Sequence, residues 1–152
     1  MGALAKRIAD EMKAALLGGD RFVGETLRNL RAAILNEEVA TGQRETGLSD
    51  ADVEKVIARE VKKRGESAKL YRENNRPELA EPEEAEASVL KKFLPEQLGE
   101  AELQKIVDAK ITELGVSGPA AMGQVIGAVK AAVGNAADGA TLANIVKTTL
   151  SK

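Results

Sequence analysis

The side chains best able to do chemistry in this sequence are cations gathered on one stretch: Lys55, Arg59, Lys62, Lys63, Arg64, Lys69, Arg72 and Arg76. At about 100° per residue, Lys55, Arg59, Lys62, Lys69, Arg72 and Arg76 fall loosely on one side of a helix, beside Val53, Val56 and Ile57. A row of ammonium and guanidinium groups on a rigid rod can follow a phosphate backbone. The same spacing also describes a solvated helix face whose cations meet carboxylates one turn away. Glu66 with Lys62, Lys63 or Lys69, and Glu73 with Lys69, are placed for that.

Carboxylates concentrate just downstream, at Glu78, Glu81, Glu83, Glu84 and Glu86. They lack the alternating Asp/Asn and glycine spacing of a calcium loop, and glutamates are expected in the first turn of a helix, where the dipole favours them. The glycines Gly115, Gly118, Gly123, Gly127 and Gly134 follow no strand signal and end in no Gly-Lys-Ser/Thr, so they are not a nucleotide fingerprint. Gly123 and Gly127, four apart in a helical pattern, are small enough to let a neighbouring helix or a ligand backbone come close. The chain has no histidine and no cysteine. None of Ser49, Ser67, Ser88, Ser117 and Ser151 therefore has a histidine to activate it, and no thiolate or imidazole can ligate zinc. We expect no catalytic residue, no metal site and no cofactor.

The elements that must position these residues read as helices. Ala, Leu, Val, Ile, Glu and Lys dominate, and the only aromatics are Phe22, Tyr71 and Phe93. Leu4, Ile8, Met12 and Leu16 mark a first helix that stops at Gly18-Gly19. Asp20 can cap a second, with Val23, Leu27, Leu30 and Ile34 along one face until Thr41-Gly42. Ser49 with Asp52 resembles a capping box opening the cationic helix, which runs to about Asn74-Asn75. Gly65 in its interior costs about 1 kcal/mol relative to alanine if exposed. Pro77 and Pro82 then bracket an acidic linker, after which Ala85, Val89 and Phe93 predict a short fourth helix ended by Leu94-Pro95.

Three compact helices are expected beyond that proline: Glu100 to Leu114, one opening near Pro119 with Met122, Val125 and Val129, and one after Asp138-Gly139 with Leu142, Ile145 and Leu150. The fold class expected is all-α, an N-terminal helical subdomain over 1–95 followed by a C-terminal three-helix bundle over 96–152. No apolar run approaches the ~20 residues of a membrane span, and Met1 to Arg7 lack a signal-peptide core, so a cytoplasmic location away from membranes is expected. Charge is uneven: residues 1–77 hold 15 basic and 13 acidic groups, residues 78–152 only 7 and 11.

The order of segments carries further information. Lys62-Lys63-Arg64-Gly65-Glu66-Ser67, Arg76-Pro77-Glu78-Leu79, Glu84-Ala85-Glu86, Leu94-Pro95-Glu96-Gln97-Leu98, Met122-Gly123-Gln124-Val125-Ile126-Gly127 and Ala137-Asp138-Gly139 together resemble the GatB/YqeY family from end to end. That resemblance implies a two-part helical fold and a non-catalytic, tRNA-binding accessory role in translation. In this family the domain occurs alone, as the C-terminal part of the tRNA-dependent amidotransferase B subunit, and on some glutaminyl-tRNA synthetases. It implies Lys62, Lys63, Arg64, Lys69 and Arg72 as phosphate contacts in the first part. In the second, Gly123, Gly127 and Asn135 would permit close approach, with Lys130 and Lys147 the nearest cations. Two positions depart from the family pattern. Gly65 stands where a basic residue is common, and Gly134-Asn135-Ala136 replaces a segment that is usually basic.

An alternative is a protein-interaction module docking onto an aminoacyl-tRNA synthetase or amidotransferase subunit. A carbon-nitrogen ligase using glutamine as amido donor is the third reading, weakened by the missing ATP motif, histidine and cysteine. DNA is not an expected partner.

Overall fold

The computed structural model describes residues 1–152 and is helical throughout, without strands. Seven α-helices follow one another: α1 (Ala3–Leu17), α2 (Arg21–Ala40), α3 (Asp50–Glu73), α4 (Pro77–Lys91), α5 (Glu100–Leu114), α6 (Met122–Val133) and α7 (Gly139–Leu150). Short 3-10 turns at Pro119–Ala121 and Gly134–Ala136 flank α6. The chain divides into two compact units, Met1–Leu94 and Pro95–Lys152. No helix is long and apolar enough to cross a membrane.

In the first unit the apolar stripes of α1, α2, α3 and α4 meet in one core of Ile8, Leu27, Leu30, Ile34, Val53, Val56, Ile57, Leu90 and Phe93, joined by Leu48 of the connecting loop. Side-chain caps set where the helices begin. Asp20 accepts from the Val23 N–H at 3.1 Å, and Ser49 accepts from the Asp52 N–H at 3.2 Å. Each satisfies a backbone donor that the helix start leaves without a partner. α1 begins at Gly2, which has no side chain to cap with, and Asp50 from the start of α3 accepts the Leu4 N–H instead, at 3.1 Å.

The expected acidic linker is not a linker. α4 begins at Pro77 and passes through Pro82 without a break. Pro77 occupies the first position, where a missing N–H is harmless, whereas Pro82 forfeits one i→i−4 bond and its ring crowds the Glu78 carbonyl. Burial of Ala80, Ala87 and Leu90 along the seam with α3 outweighs that loss.

In the second unit α5, α6 and α7 bury Leu103, Val107, Val125, Val129, Leu142, Val146 and Leu150 together. Gly115 ends α5 in the left-handed conformation, with φ 65°. Asp138 caps α7 by accepting from the Thr141 N–H at 3.0 Å. The stretch before α5 is tied to the 3-10 turn after α6: the Leu98 N–H donates to the Ala136 carbonyl at 2.8 Å and Gln97 Nε2 to the Asn135 carbonyl at 2.9 Å.

Candidate nucleic-acid interface

α3 is 24 residues long and carries all but Arg76 of the cations singled out in the first unit, and the structure sorts them by partner. Arg64 is turned into the seam with α4. Its side chain is only 11 % exposed, its Nε donates to Glu86 at 2.9 Å, and its Nη1 donates to the side chain and the carbonyl of Glu60. A guanidinium so enclosed fastens two helices and presents little charge outward. Arg72 crosses the same seam to Glu84, with both side chains about half exposed. The Arg72 hydrogen bond holds the Glu84 carboxyl below the usual carboxylate range, and the same partner raises Arg72.

Lys62, Lys63 and Lys69 form another group. Lys62 is exposed and makes no ion pair, Lys63 reaches Glu60 at 3.2 Å while 71 % exposed, and Lys69 stands 4.0 Å from Glu73 while 77 % exposed. The Lys69 pair is exposed on both sides and contributes about 0–1 kcal/mol, and the largely buried Glu60 keeps Arg64 when Lys63 leaves it, so an incoming phosphate can take over the ammonium groups at little cost. Of the pairings read from sequence, Lys69–Glu73 forms and Glu66 bridges to no lysine. Lys55, Arg59 and Arg76 are held by Asp52, Glu37 and Glu78 respectively. The Arg76 hydrogen bond lowers the Glu78 carboxyl.

Beside the lysines runs an open groove of about 520 Å³, lined by Gly65, Ala68, Lys69, Arg72, Glu73 and Glu84. Gly65 and Ala68 form its floor because neither projects beyond a methyl group. A methyl at Gly65 would meet nothing within 4 Å. The sequence singles out Gly65 as a helix flaw and a departure from the family pattern, and Glu84 as part of an acidic run, but does not bring them together with Ala68 as one groove. The readable signal was two small residues three apart, on one side of α3.

In the second unit Gly123 and Gly127 lie exposed on α6, and a methyl at either would meet nothing within 4 Å. The suggestion that they admit a neighbouring helix is therefore corrected, since α6 packs through Val125 and Val129 on its other side. Their surface is free to take a flat ligand backbone. Lys130 is exposed near the start of α7, and Lys147 is exposed on α7 itself. Asn135 is half-buried, and its carbonyl holds Gln97. A contact to RNA through Asn135 would use a residue that already anchors the unit.

Comparison with known proteins adds a family. The family model described as Yqey-like protein matches residues 5–150. Among curated proteins, the chain is 28% identical over 93 residues to altered inheritance of mitochondria protein 41, mitochondrial, of Clavispora lusitaniae, covering 61% of this chain and 52% of that protein. It is 28% identical over 111 residues to the protein of the same name in Lachancea thermotolerans, covering 72% and 58%. An uncharacterized protein of Schizosaccharomyces pombe is 31% identical over 93 residues, covering 61% and 70%. The chain thus spans little more than half the length of the two mitochondrial relatives.

Proposed function

This chain belongs to the Yqey-like protein family, and from that premise we propose that it is a non-catalytic accessory module that binds transfer RNA through its phosphate backbone. The observation that carries the proposal is the state of Lys62, Lys63 and Lys69. These are three exposed ammonium groups on one rigid helix, free or held only by pairs that a phosphate displaces readily. Arg72 joins them when it exchanges Glu84 for phosphate, and Arg64 supports the surface from beneath. In the second unit Gly123, Gly127 and Lys130 offer a flat, mildly cationic patch on α6, with Asn135 beside it. Recognition by shape and phosphate contact suits structured RNA, whose deep groove denies side chains the base edges. The compartment proposed is the cytoplasm; the mitochondrial designation belongs to the Clavispora lusitaniae and Lachancea thermotolerans relatives.

The test is retention of folded tRNA on filters across a salt series. Three to four neutralised phosphates give a log–log slope of roughly −3, and Lys62→Ala with Lys63→Ala and Lys69→Ala should flatten it to about −1, the contact left to Arg72. A flat response of the unaltered protein, or equal affinity for unstructured RNA, would sink the proposal.

A second reading is a module that docks onto an aminoacyl-tRNA synthetase or amidotransferase subunit. The groove over Gly65 and Ala68 favours it, because small residues on its floor admit a partner's side chains. Co-elution with a purified subunit, lost on Ala68→Glu, is the corresponding test. A carbon-nitrogen ligase activity finds no histidine or cysteine to support it.

A further inference from the structure

The outer face of α2 takes no part in the core or in the surfaces described so far. Leu35 and Val39 lie one turn apart on it and are 41 % and 58 % exposed. At about 100° per residue they share a strip with Arg21, Arg28 and Ala32, on the side away from buried Leu27, Leu30 and Ile34. The strip changes character along its length. Its C-terminal half, Ala32, Leu35, Asn36 and Val39, is uncharged, because the two carboxylates of that stretch are turned elsewhere: Glu37 holds Arg59 at 2.9 Å, and half-buried Glu38 lies beside Gly47. Its N-terminal half is cationic. Arg21 has no ion pair, Arg28 has only a neighbouring Glu25 at 3.2 Å with both side chains about half exposed, and Arg31 at the edge has no ion pair and donates to the Met12 sulfur at 3.9 Å.

We infer that this face of α2 is a docking strip for an acidic amphipathic helix of a partner protein, which lays apolar side chains over Ala32, Leu35 and Val39 and carboxylates over Arg21, Arg28 and Arg31. Charge and shape choose this occupant. Three guanidinium groups stand against two local carboxylates, Glu25 and the capping Asp20, which leaves this end net positive, so an anionic partner is attracted and a second copy of the same end is repelled. A phosphate backbone would leave Leu35 and Val39 uncovered. A bilayer surface calls for a wider apolar face than one row of side chains. From Arg21 to Val39 the strip is about 27 Å long at 1.5 Å per residue, the length of a five-turn helix. The inference does not depend on tRNA binding, since no residue of the strip belongs to that surface.

The experiment uses the full chain and a labelled synthetic peptide of eighteen residues. Leucines at i, i+3, i+4 and i+7 fill one end of its apolar face, and glutamates fill the other. A scrambled peptide of identical composition is the control, and fluorescence anisotropy reads both. The amphipathic peptide should bind at least tenfold tighter than its scrambled isomer. Leu35→Ser with Val39→Ser should erase that difference, and Arg28→Glu should weaken binding at least tenfold by its separate, electrostatic route. Retention of folded tRNA and the thermal midpoint should be unchanged in both variants. Equal binding of the two peptides overturns the inference, as does indifference to the serine substitutions. It is equally overturned if Leu35 and Val39 prove necessary for sedimentation with phosphatidylglycerol vesicles, for tRNA retention or for self-association.

Discussion

Four glycines lie in helix interiors, Gly24, Gly65, Gly123 and Gly127, and what a methyl group would meet at each separates them. At Gly24 it would stand 2.7 Å from Leu16 Cγ, so the bare backbone is what lets α1 and α2 approach there. Gly24→Ala should lower stability by about 1–3 kcal/mol through overpacking, measured by urea unfolding. At Gly123 and Gly127 the methyl would meet nothing, and helix propensity alone predicts a gain of about 0.5–1 kcal/mol for alanine at each. Natural sequence has thus left two weak points in α6 that packing does not explain. If RNA approaches over them, Gly123→Ala with Gly127→Ala should raise the thermal midpoint and lower tRNA retention together. A higher midpoint with unchanged retention would remove α6 from the interface.

Among the elements, α4 shows how far the sequence could be read. Apolar spacing and the capping residues Asp20, Ser49 and Asp138 mark where α2, α3 and α7 begin, because such signals act within a few residues. The start of α4 was misread, since Pro77 and Pro82 look like breakers unless the seam that outweighs them is known. A second difference concerns partners. Helical spacing puts Glu84 and Glu86 at the start of a short fourth helix but does not set that helix opposite α3, so it offers Arg64 and Arg72 as phosphate contacts, whereas the structure pairs them across the seam. Long-range pairing is invisible to helical periodicity: of these five cations only Arg64 is withdrawn from solvent, Arg72 stays half exposed but paired with Glu84, and Lys62, Lys63 and Lys69 remain exposed. Stability separates the two groups. Arg64→Ala should cost about 2 kcal/mol, since it leaves the Glu86 carboxylate without its partner and Glu60 with Lys63 alone, whereas Lys62→Ala should fall within about 0.5 kcal/mol of neutral. Comparison of urea midpoints at unchanged slope decides between them.

At the scale of the whole molecule, charge is distributed so that acid acts on one unit by a definite route. The Lys6 hydrogen bond lowers Asp10, the Arg76 hydrogen bond lowers Glu78, and the Arg72 hydrogen bond lowers Glu84; all three carboxyls lie within Met1–Leu94. A carboxyl whose folded pKa lies below its unfolded one releases its proton more readily in the native state. It therefore stabilises the fold above the unfolded pKa, and that contribution disappears as pH falls through the folded value. The first unit should accordingly hold a nearly constant thermal midpoint from pH 7 to about 5 and lose it progressively below the ordinary glutamate value of about 4.3. The only tyrosine, Tyr71, sits on α3, so its fluorescence follows this unit alone. Glu84→Gln should lower the midpoint at neutral pH and make the remaining acid dependence shallower, because the group that would have been protonated is already neutral. If the variant and the unaltered protein lose stability in parallel down to pH 3, the Arg72–Glu84 bond does not contribute to holding α4 against α3.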